Sequence, residues 1–260
     1  MTSDVITPLN IGYLRADLRG WYKLPRDHPF ANQMAELPML CYHLRLPGRS
    51  VLVDAVAYEF PPGYEDMELP GPYPPPLIER LAAIQAEANE VSDVILTHRH
   101  FDHITGLTRR DESSSYVPAF PNARHYLGAG DWQPDEFEKF QNDTLLVVEQ
   151  HGLLQLVEGP LDLGDGLEIL PAPGESPGHQ IAHVKAGDTE AYIAGDLYHH
   201  RLEFAEPGRN VHWADPVSMR ASKAAIGERA AASGADVYFA HIEGPCRVER
   251  GGEGLRWRTA

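Results

Sequence analysis

The chain has 260 residues, of which 43% are hydrophobic and 23% charged, an ordinary balance for a globular protein. Its formal net charge is −16. Such an acidic surface repels phosphate backbones and anionic lipid, so nucleic acid and membranes are poor partners. The two cysteines, Cys41 and Cys246, indicate a reducing compartment. With no visible signal peptide or membrane-spanning run, we expect a cytoplasmic protein with one domain over residues 1–260.

The N-terminal half alternates short apolar runs with helical patterns, which predicts an α/β or α+β fold. Strands are predicted at 38–46 and 50–55, joined by a turn at 47–49. Residues 60–76 contain seven prolines and are predicted to form a long loop. Leucine and isoleucine then recur at three- and four-residue steps, which predicts a helix over 77–89.

The apolar residues 94–96 predict a buried strand that ends at Thr97, where polar residues begin. Residues 131–150 predict a helix in two pieces, with Asp131 as its N-cap. Four later strands, one helix and a hairpin complete the prediction: strands at 167–170, 181–185, 190–194 and 236–240, a helix over 217–232, and a final hairpin turning at Gly251 and Gly252.

Histidine is frequent, with thirteen in the chain. Four metal-capable side chains fall within six residues directly after the predicted strand at 94–96, namely His98, His100, Asp102 and His103. Three imidazoles and one carboxylate suit zinc, and also iron, manganese or cobalt. The alternative, a solvated loop rich in histidine, would fit an isolated His-x-His pair better than this whole pattern.

The run THRHFDH resembles the HxHxDH signature of the metallo-β-lactamase superfamily. This resemblance implies a four-layer αββα sandwich and three further ligands in a fixed order downstream. The chain supplies His179 in PGESPGHQ, Asp196 in AYIAGD and His241 in VYFAH. The similarity spans roughly residues 40–245, which is most of the chain.

The resemblance implies two divalent metal ions, most simply zinc, with iron, manganese or cobalt as alternatives. It assigns His98, His100 and His179 to the first ion, Asp102, His103 and His241 to the second, and Asp196 as the bridge between them. An anionic bridge is reasonable because two neighbouring dications repel strongly. Asp54, at the end of VLVDA, would accept a hydrogen bond from a ligand imidazole and fix its tautomer. Its alternative role is that of a turn residue at a strand end.

Such a centre implies hydrolysis, because zinc lowers the pKa of bound water from about 15.7 to about 7. A hydroxide bridging the metals would attack a carbonyl or phosphoryl centre. The segments GDLYHH and GGEGLRW resemble the subgroup of methyl parathion hydrolase, lactonases and arylesterases. Asp102 and His199 are the predicted catalytic residues. His199 would assist the leaving group, or else pack beside the metals as a structural histidine.

Two departures from the family pattern concern this region. His199 stands where homoserine-lactone lactonases often carry a tyrosine, and Glu175 replaces the first histidine of the frequent PGHTPGH sequence. The loop 60–76 is predicted to roof a pocket for an apolar acyl or aryl group; surface cover or a dimer contact is the alternative. The residues predicted to contact substrate are Phe60, Tyr64, Met67, Tyr73 and Tyr198.

These observations predict a hydrolase of small esters or lactones, with organophosphate triesters as further candidates. Three alternatives stay open: a thioester hydrolase of the hydroxyacylglutathione type, a one-iron sulfur dioxygenase, and a non-catalytic metal-binding protein. Hydrolases of the hydroxyacylglutathione type usually add a C-terminal helical domain. We expect the hairpin before Ala260 to leave no room for such a domain. The family resemblance also implies a homodimer.

Overall fold

Two β-sheets stacked face to face form the centre of the protein, for which a computed structural model describes residues 5–252 and 254–259. Eight strands come from the first part of the chain: β1 (Ile6–Asp17), β2 (Met34–Leu46), β3 (Arg49–Val53), β4 (Asp93–Ile95), β5 (Thr108–Arg110), β6 (Tyr116–Pro118), β7 (Arg124–Gly128) and β8 (Leu154–Val157). Six of them form the first sheet in the order β1-β2-β3-β4-β7-β8, while β5 and β6 pair separately. The strands β3, β4, β7 and β8 run parallel.

The second sheet has seven strands: β9 (Leu161–Gly164), β10 (Leu167–Pro171), β11 (Gln180–Ala186), β12 (Thr189–Ile193), β13 (Asp236–Tyr238), β14 (Cys246–Gly251) and β15 (Gly254–Thr259). They follow the order β15-β14-β13-β12-β11-β10-β9, and only the β12–β13 pair is parallel. The four strands predicted for this region and the final hairpin are therefore confirmed, although β13 ends two residues earlier than predicted.

The described residues form these α-helices: α1 (Leu18–Tyr22), α2 (Leu77–Ala83), α3 (Phe101–Ile104), α4 (Lys139–Gln141), α5 (Val147–Gln150), α6 (Leu202–Ala205) and α7 (Pro216–Ser233). Helices α1 and α2 contact the first sheet, and α7 contacts the second. A π-helical segment, Asn142–Leu146, joins α4 to α5. Among the described residues, no helix has the length and apolar character needed to cross a membrane.

The packing of β3 shows how the layers are built. Val51 and Val53 point into the core between the two sheets, whereas Leu52 points to the opposite face, because side chains alternate along a strand. On that outer face Leu52 belongs to the same buried core as Leu81 of α2. Helix α7 packs in the same way against the second sheet. The result is the four-layer αββα sandwich that the sequence predicted.

Strand β1 is a finding that the sequence did not predict. Pro8 and Gly12 interrupt its pattern, and the pairing register shifts between Asn10 and Tyr13. Both features are compatible with a strand here because β1 lies at the edge of its sheet, where a missing N–H and a bulge are tolerated.

Two helix predictions need correction. Helix α2 ends at Ala83 rather than at residue 89, because Gln85 adopts a left-handed backbone (φ +58°) and Arg45 donates a hydrogen bond to the carbonyl of Ile84 (3.0 Å). Regular helix in the 131–150 region begins only at Lys139. Residues 60–76 form the predicted loop, apart from a short 3-10 turn at Glu65–Met67.

Candidate metal centre

The strand ends of both sheets meet at one edge of the sandwich. His98 follows β4 of the first sheet, while Asp196 follows β12 of the second. Gln180, at the start of β11, ties the two sheets together here: its backbone N–H donates to the carbonyl of Thr97 (2.8 Å) and its side-chain amide to that of Leu96 (2.9 Å). This bridge fixes the histidine-rich loop of one sheet against the ligand-bearing turns of the other.

Asp131 provides a second connection between these turns, and it is not the helix N-cap that the sequence predicted. Its buried carboxylate accepts hydrogen bonds from the N–H of Gly178 (2.7 Å), the hydroxyl of Ser176 (2.8 Å) and the N–H of Arg99 (3.2 Å). It therefore holds the 98–103 loop against the turn before His179. Sequence reasoning missed this role because the partners lie far apart along the chain.

The first cluster of potential metal ligands contains His98, His100, Glu175 and Asp196. The Nε2 atom of His98 lies 2.8 Å from Nδ1 of His100 and 3.8 Å from Oδ2 of Asp196. His179 lies directly beside this cluster, where its Nε2 accepts a hydrogen bond from the backbone N–H of Asp196 (3.2 Å) and its ring lies 5.4 Å from that of His98. Glu175 was noted in the sequence only as a departure from the family pattern, and the structure places it among the ligand atoms.

The second cluster contains Asp102, His103 and His241. Nε2 of His241 lies 3.3 Å from Oδ2 of Asp102 and 3.4 Å from Oδ2 of Asp196. Nε2 of His103 lies 3.3 Å from Oδ1 of Asp196. The Asp196 carboxylate thus contacts members of both clusters, which is the position that a bridging ligand requires.

The imidazoles are oriented by hydrogen bonds on their far sides. In four of them Nδ1 has an oxygen partner and is assigned as the donor, which leaves Nε2 unprotonated, the form in which it can bind a metal. The partners are the hydroxyl of Thr97 for His98 (3.2 Å), the carboxylate of Asp54 for His103 (2.8 Å), the carbonyl of Ala172 for His179 (2.9 Å) and the carbonyl of Pro38 for His241 (2.8 Å).

Asp54 occupies the place that the resemblance implied, beside a ligand imidazole. Its backbone is left-handed (φ +60°), and its carboxylate also accepts hydrogen bonds from the N–H (2.7 Å) and the hydroxyl (2.9 Å) of Thr97. The same carboxylate holds both the end of the β4 segment and the ring of His103. These contacts agree with its proposed role in fixing a tautomer.

The electrostatic balance of the site is set by its carboxylates. Burial by itself lowers the pKa of His241, but Asp196 and Asp102 outweigh it and raise that pKa to about 9. Burial also lowers the pKa of His103. The carboxylates of Asp196, Asp54 and Asp102 outweigh it and raise that pKa well above its usual value. Burial raises the pKa of Asp196, yet the surrounding imidazoles hold it well below its usual value. Bound metal ions would displace the histidine protons, because an imidazole binds metal only when neutral.

His98 shows the opposite behaviour, because its immediate neighbours are other imidazoles. Burial and the rings of His103 and His100 hold its pKa well below the usual value. Burial likewise lowers the pKa of His179. The lowered pKa values favour the neutral form of both rings, which is the form that binds a metal ion.

The site fits divalent metal ions on two observations. Buried Nε2 of His103, Oδ1 of Asp196 and Oε2 of Glu175 have no hydrogen-bond partner among the described residues. In addition, two donors that are each about 2.1 Å from one tetrahedral ion lie about 3.4 Å apart. The separations of His103 and His241 from Asp196 (3.3 and 3.4 Å) and of His241 from Asp102 (3.3 Å) match that value, while His103 and Asp102 lie 3.9 Å apart.

His199 lies next to the clusters, with Nε2 3.2 Å from Oδ2 of Asp196 and 3.4 Å from Oε1 of Glu175. Burial lowers its pKa, but the carboxylates of Glu175 and Asp196 outweigh that effect and raise it well above the usual value. Trp21 and Trp213 contact the ring edge-on. Its position beside the site is compatible with the predicted catalytic role as well as with a structural one.

A cavity of about 470 Å³ opens over the two clusters. Apolar and aromatic side chains form one part of its lining, namely Trp21, Tyr64, Met67, Phe101 and Trp213. The polar part of the lining comprises Asp66, His199, His212 and five members of the two clusters, namely His100, Asp102, Glu175, Asp196 and His241. No lysine or arginine lines this cavity in the described part of the chain.

Of the residues predicted to contact substrate, only Tyr64 and Met67 line this cavity. Phe60 packs behind Phe101 and lines a separate depression. Tyr73 is 68% exposed and packs against Tyr58.

Tyr198 is also absent from the lining, although it directly precedes His199. Its ring is buried between Phe239 and Trp257 in the core behind the site. The structure therefore corrects the assignments of Phe60, Tyr73 and Tyr198 to the cavity wall. The loop 60–76 covers the cavity, as predicted, but mainly through its residues 63–67.

We predict that Gly195→Ala damages the site more than an equivalent change elsewhere. Gly195 has a left-handed backbone (φ +49°), and an added Cβ would lie 2.7 Å from Cβ of Thr97. The clash should displace Asp196 and lower the free energy of unfolding by about 2–4 kcal/mol, as the sum of left-handed strain and overpacking. Gly234→Ala is the control, since Gly234 has φ +72° but nothing within 4 Å. If urea unfolding showed the same loss of unfolding free energy for Gly195→Ala and Gly234→Ala, the predicted clash would be contradicted.

The fold and the two clusters define a protein of the metallohydrolase class. The metallo-beta-lactamase superfamily model matches residues 36–241, and the chain belongs to that superfamily.

One curated relative is the hydroxyacylglutathione hydrolase of Aeromonas salmonicida (strain A449), which is 29% identical over 118 residues. The match covers 44% of this chain, and the chain spans only 38% of the length of that relative.

Two solved structures share nearly the whole fold. One is hydrolase AbOPH of the beta lactamase superfamily, with a TM-score of 0.78 and 17% identity. The other is AidC, a dizinc quorum-quenching lactonase in complex with a product, with a TM-score of 0.74 and 17% identity. Each match covers 98% of this chain and 94% of the other. At this identity the likeness establishes the fold alone.

Proposed function

We propose that this protein is a dinuclear-metal-dependent hydrolase of small, neutral esters or lactones, with organophosphate triesters as further substrates. The observation that carries the proposal is the position of Asp196, whose carboxylate lies 3.8 Å from Nε2 of His98 in the first cluster and 3.3 and 3.4 Å from Nε2 of His103 and His241 in the second. A single carboxylate shared by two sets of ligands at the floor of a cavity is the arrangement that a two-metal centre needs.

Two divalent ions, when bound, would supply a hydroxide nucleophile at neutral pH and polarise the electrophilic oxygen of the substrate. The protein holds the ligand atoms in place before they bind, because Thr97, Asp54 and Pro38 fix the imidazole rings from behind. Because the rings are already oriented, little free energy is needed to rearrange the site during the reaction.

His199 is proposed to donate a proton to the leaving oxygen. It lines the cavity, and the neighbouring carboxylates of Glu175 and Asp196 raise its pKa, which favours the proton-bearing form that this role needs. Asp102 is proposed to act through the second cluster, where it faces both the cavity and Nε2 of His241.

The cavity lining supports a neutral substrate with an apolar group. Trp21 and Trp213 pack edge-to-face with centroids 5.2 Å apart, and Tyr64 and Phe101 lie 4.6 Å apart at the wall formed by the 60–76 loop. These rings offer an apolar surface for an acyl chain or an aryl ring. The lactonase AidC shows that this fold can accommodate such a substrate.

Thioester hydrolysis is the second candidate, because the curated relatives are hydroxyacylglutathione hydrolases. Glutathione carries carboxylates that need cationic partners in a binding site. Since the described cavity lining contains acidic residues such as Asp66 and Glu175 but neither lysine nor arginine, neutral esters and lactones fit it better.

A substrate panel on protein of measured metal content tests both candidates. We expect acyl lactones, aryl esters or phosphotriesters to be hydrolysed at least about tenfold better, in kcat/KM, than S-acylglutathione. Chelation should abolish turnover, and adding back Zn²⁺, Mn²⁺ or Co²⁺ should restore it. Turnover that survives complete metal removal would refute the proposed centre, while a preference for the thioester would favour the second candidate. Metal binding without any turnover would point to a non-catalytic protein.

A further inference from the structure

We propose that Glu203 is a positioning residue for His199, whose imidazole it holds in the orientation that delivers a proton to the leaving oxygen of the substrate. The inference rests on the proposed function, in which His199 is that acid. In the step concerned, the bond between the carbonyl carbon and the leaving oxygen breaks, its electron pair stays on that oxygen, and the proton on Nε2 of His199 moves to it. Glu203 lies behind the cavity rather than in its lining, so it acts through His199.

The two nitrogens of the His199 ring face different groups. Nε2 lies 3.2 Å from Oδ2 of Asp196 and 3.4 Å from Oε1 of Glu175, on the side of the metal centre. Nδ1 lies 3.7 Å from Oε1 of Glu203. That distance is longer than a hydrogen bond, but catalytic hydrogen bonds are often long until the substrate binds. One edge of the ring therefore faces the reacting atoms and the other faces the Glu203 carboxylate.

Aromatic packing alone does not decide which edge of the ring faces the cavity. Trp21 and Trp213 each meet the ring edge-on with centroids 6.0 Å away, and the ring of His241 stacks on it at 5.8 Å. A half-turn about the Cβ–Cγ bond of His199 keeps the ring in that plane but exchanges each nitrogen for a carbon. The carboxylate of Glu203 opposes this half-turn, because it attracts an N–H far more than a C–H. Unlike the contacts of Nε2, this one persists after the Nε2 proton has left.

The same carboxylate also fixes the main chain that carries the ring. Oε1 of Glu203 accepts hydrogen bonds from the backbone N–H of His199 (2.9 Å) and from that of His200 (3.4 Å). Because Glu203 lies in α6, these bonds tie the turn that follows Asp196 to this helix. One oxygen atom thus faces both the ring and the backbone of His199, which gives the precise placement that a proton donor needs.

Lys223 of α7 keeps Glu203 charged and in place. Its ammonium donates to Oε2 of Glu203, to the side-chain oxygen of Asn210 (2.7 Å) and to the carbonyl of Arg209 (3.2 Å). Glu203 is 1% exposed, and a buried carboxylate stays ionised when a cation pairs with it. The ion pair anchors one oxygen to α7 and leaves the other directed at His199.

The test compares two leaving groups. The para-nitrophenyl ester of a carboxylic acid releases a stable phenolate that needs no proton, whereas the alkyl ester of the same acid releases an alkoxide that does. The variant is Glu203→Gln/Lys223→Met, which removes both buried charges but keeps an acceptor for the N–H of His199. We expect its kcat to fall about 10- to 100-fold on the alkyl ester and less than about threefold on the nitrophenyl ester. KM for both esters and the metal content should match those of the parent protein.

Two further variants complete the design. Tyr22→Phe is the matched control, because it removes the hydroxyl that donates to the same Oε1 (2.7 Å) and leaves the carboxylate. Its ratio of kcat values on the two esters should stay within about threefold of the parent ratio. His199→Gln should shift that ratio at least as far as the double variant, and combining the two should shift it no further, because Glu203 acts through His199. Circular dichroism and urea unfolding verify that each variant folds.

The outcomes are distinct. An unchanged ratio in Glu203→Gln/Lys223→Met, or equal losses of kcat on both esters, would overturn the proposal and leave Glu203 with a purely structural role. A shift that adds to the shift in His199→Gln would overturn it too, since the effect would then bypass His199. If His199→Gln itself kept the parent ratio, His199 would not be the acid and this inference would fall with it, while metal-dependent hydrolysis by the parent protein would stand. A parent protein without metal-dependent hydrolysis of any ester or lactone would instead refute the proposed function.

Discussion

Replacing Asp196 with asparagine is expected to leave a protein that binds at most one metal ion per chain and has lost nearly all hydrolytic activity. The carboxylate contacts Nε2 of His103, His199 and His241 at 3.2–3.4 Å. An amide cannot supply the negative charge that two neighbouring cations require. We expect kcat/KM to fall by more than about 100-fold, because losing even an outer partner of a metal ligand costs about 10- to 100-fold.

Metal analysis by mass spectrometry, together with ester or lactone turnover, measures this effect. Asp162→Asn is the control, since Asp162 is exposed and its contact is a local hydrogen bond from the N–H of Gly164. It should keep two metals and full activity. If Asp196→Asn also retained both ions and more than about a tenth of the activity, Asp196 would not be the bridge.

Glu203→Gln should cause the largest loss of stability in the region behind the site. Its carboxylate is fully buried and accepts hydrogen bonds from the ammonium of Lys223, the hydroxyl of Tyr22 (2.7 Å) and the backbone N–H of His199 (2.9 Å). Removing its charge leaves the Lys223 ammonium buried without a counter-ion. We expect the free energy of unfolding to fall by about 3–5 kcal/mol, measured by urea unfolding of the metal-free protein.

The double variant Glu203→Gln/Lys223→Met is the control for this loss, because it removes both charges and keeps an acceptor for the N–H of His199. It should recover most of the stability, giving a coupling energy above about 2 kcal/mol in a double-mutant cycle. Additive losses from the two single substitutions would show that the pair is not coupled.

The same pair makes stability depend on pH in a defined window. Burial alone would raise the pKa of Glu203, but Lys223 and His199 bring it down to about 2, against 4.5 for an ordinary glutamate. Because the folded value is the lower one, the pair contributes its full stability above about pH 4.5 and loses it as the pH falls towards 2. The difference in stability between the parent protein and Glu203→Gln should therefore shrink over that range.

The elements that sequence reasoning placed well are those with strong local signals. Helix α7 was predicted over residues 217–232 from its alanine-rich composition, and the structure ends it one residue further out on each side, between the N-cap Asp215 and the C-terminal Gly234. Helix α2 was predicted too long. Its end involves a left-handed residue, Gln85, and a hydrogen bond to the carbonyl of Ile84 from Arg45 of β2, which is distant in the sequence. Strand β1 was missed because only its edge position makes Pro8 acceptable.

The amino-acid sequence by itself determined the mixed α/β character of the chain and the cluster of metal-capable side chains at 98–103. The αββα sandwich and the three later ligands were what the resemblance of that cluster to the metallo-β-lactamase signature implied. The tertiary structure alone decided which donor atoms converge, because this depends on contacts between residues distant in the chain. It placed Glu175 among the ligand atoms, moved Tyr198 into the core, and gave Asp131 its position between two turns. Side-chain direction at a strand end is set by packing and hydrogen bonds across both sheets, and no local pattern encodes it.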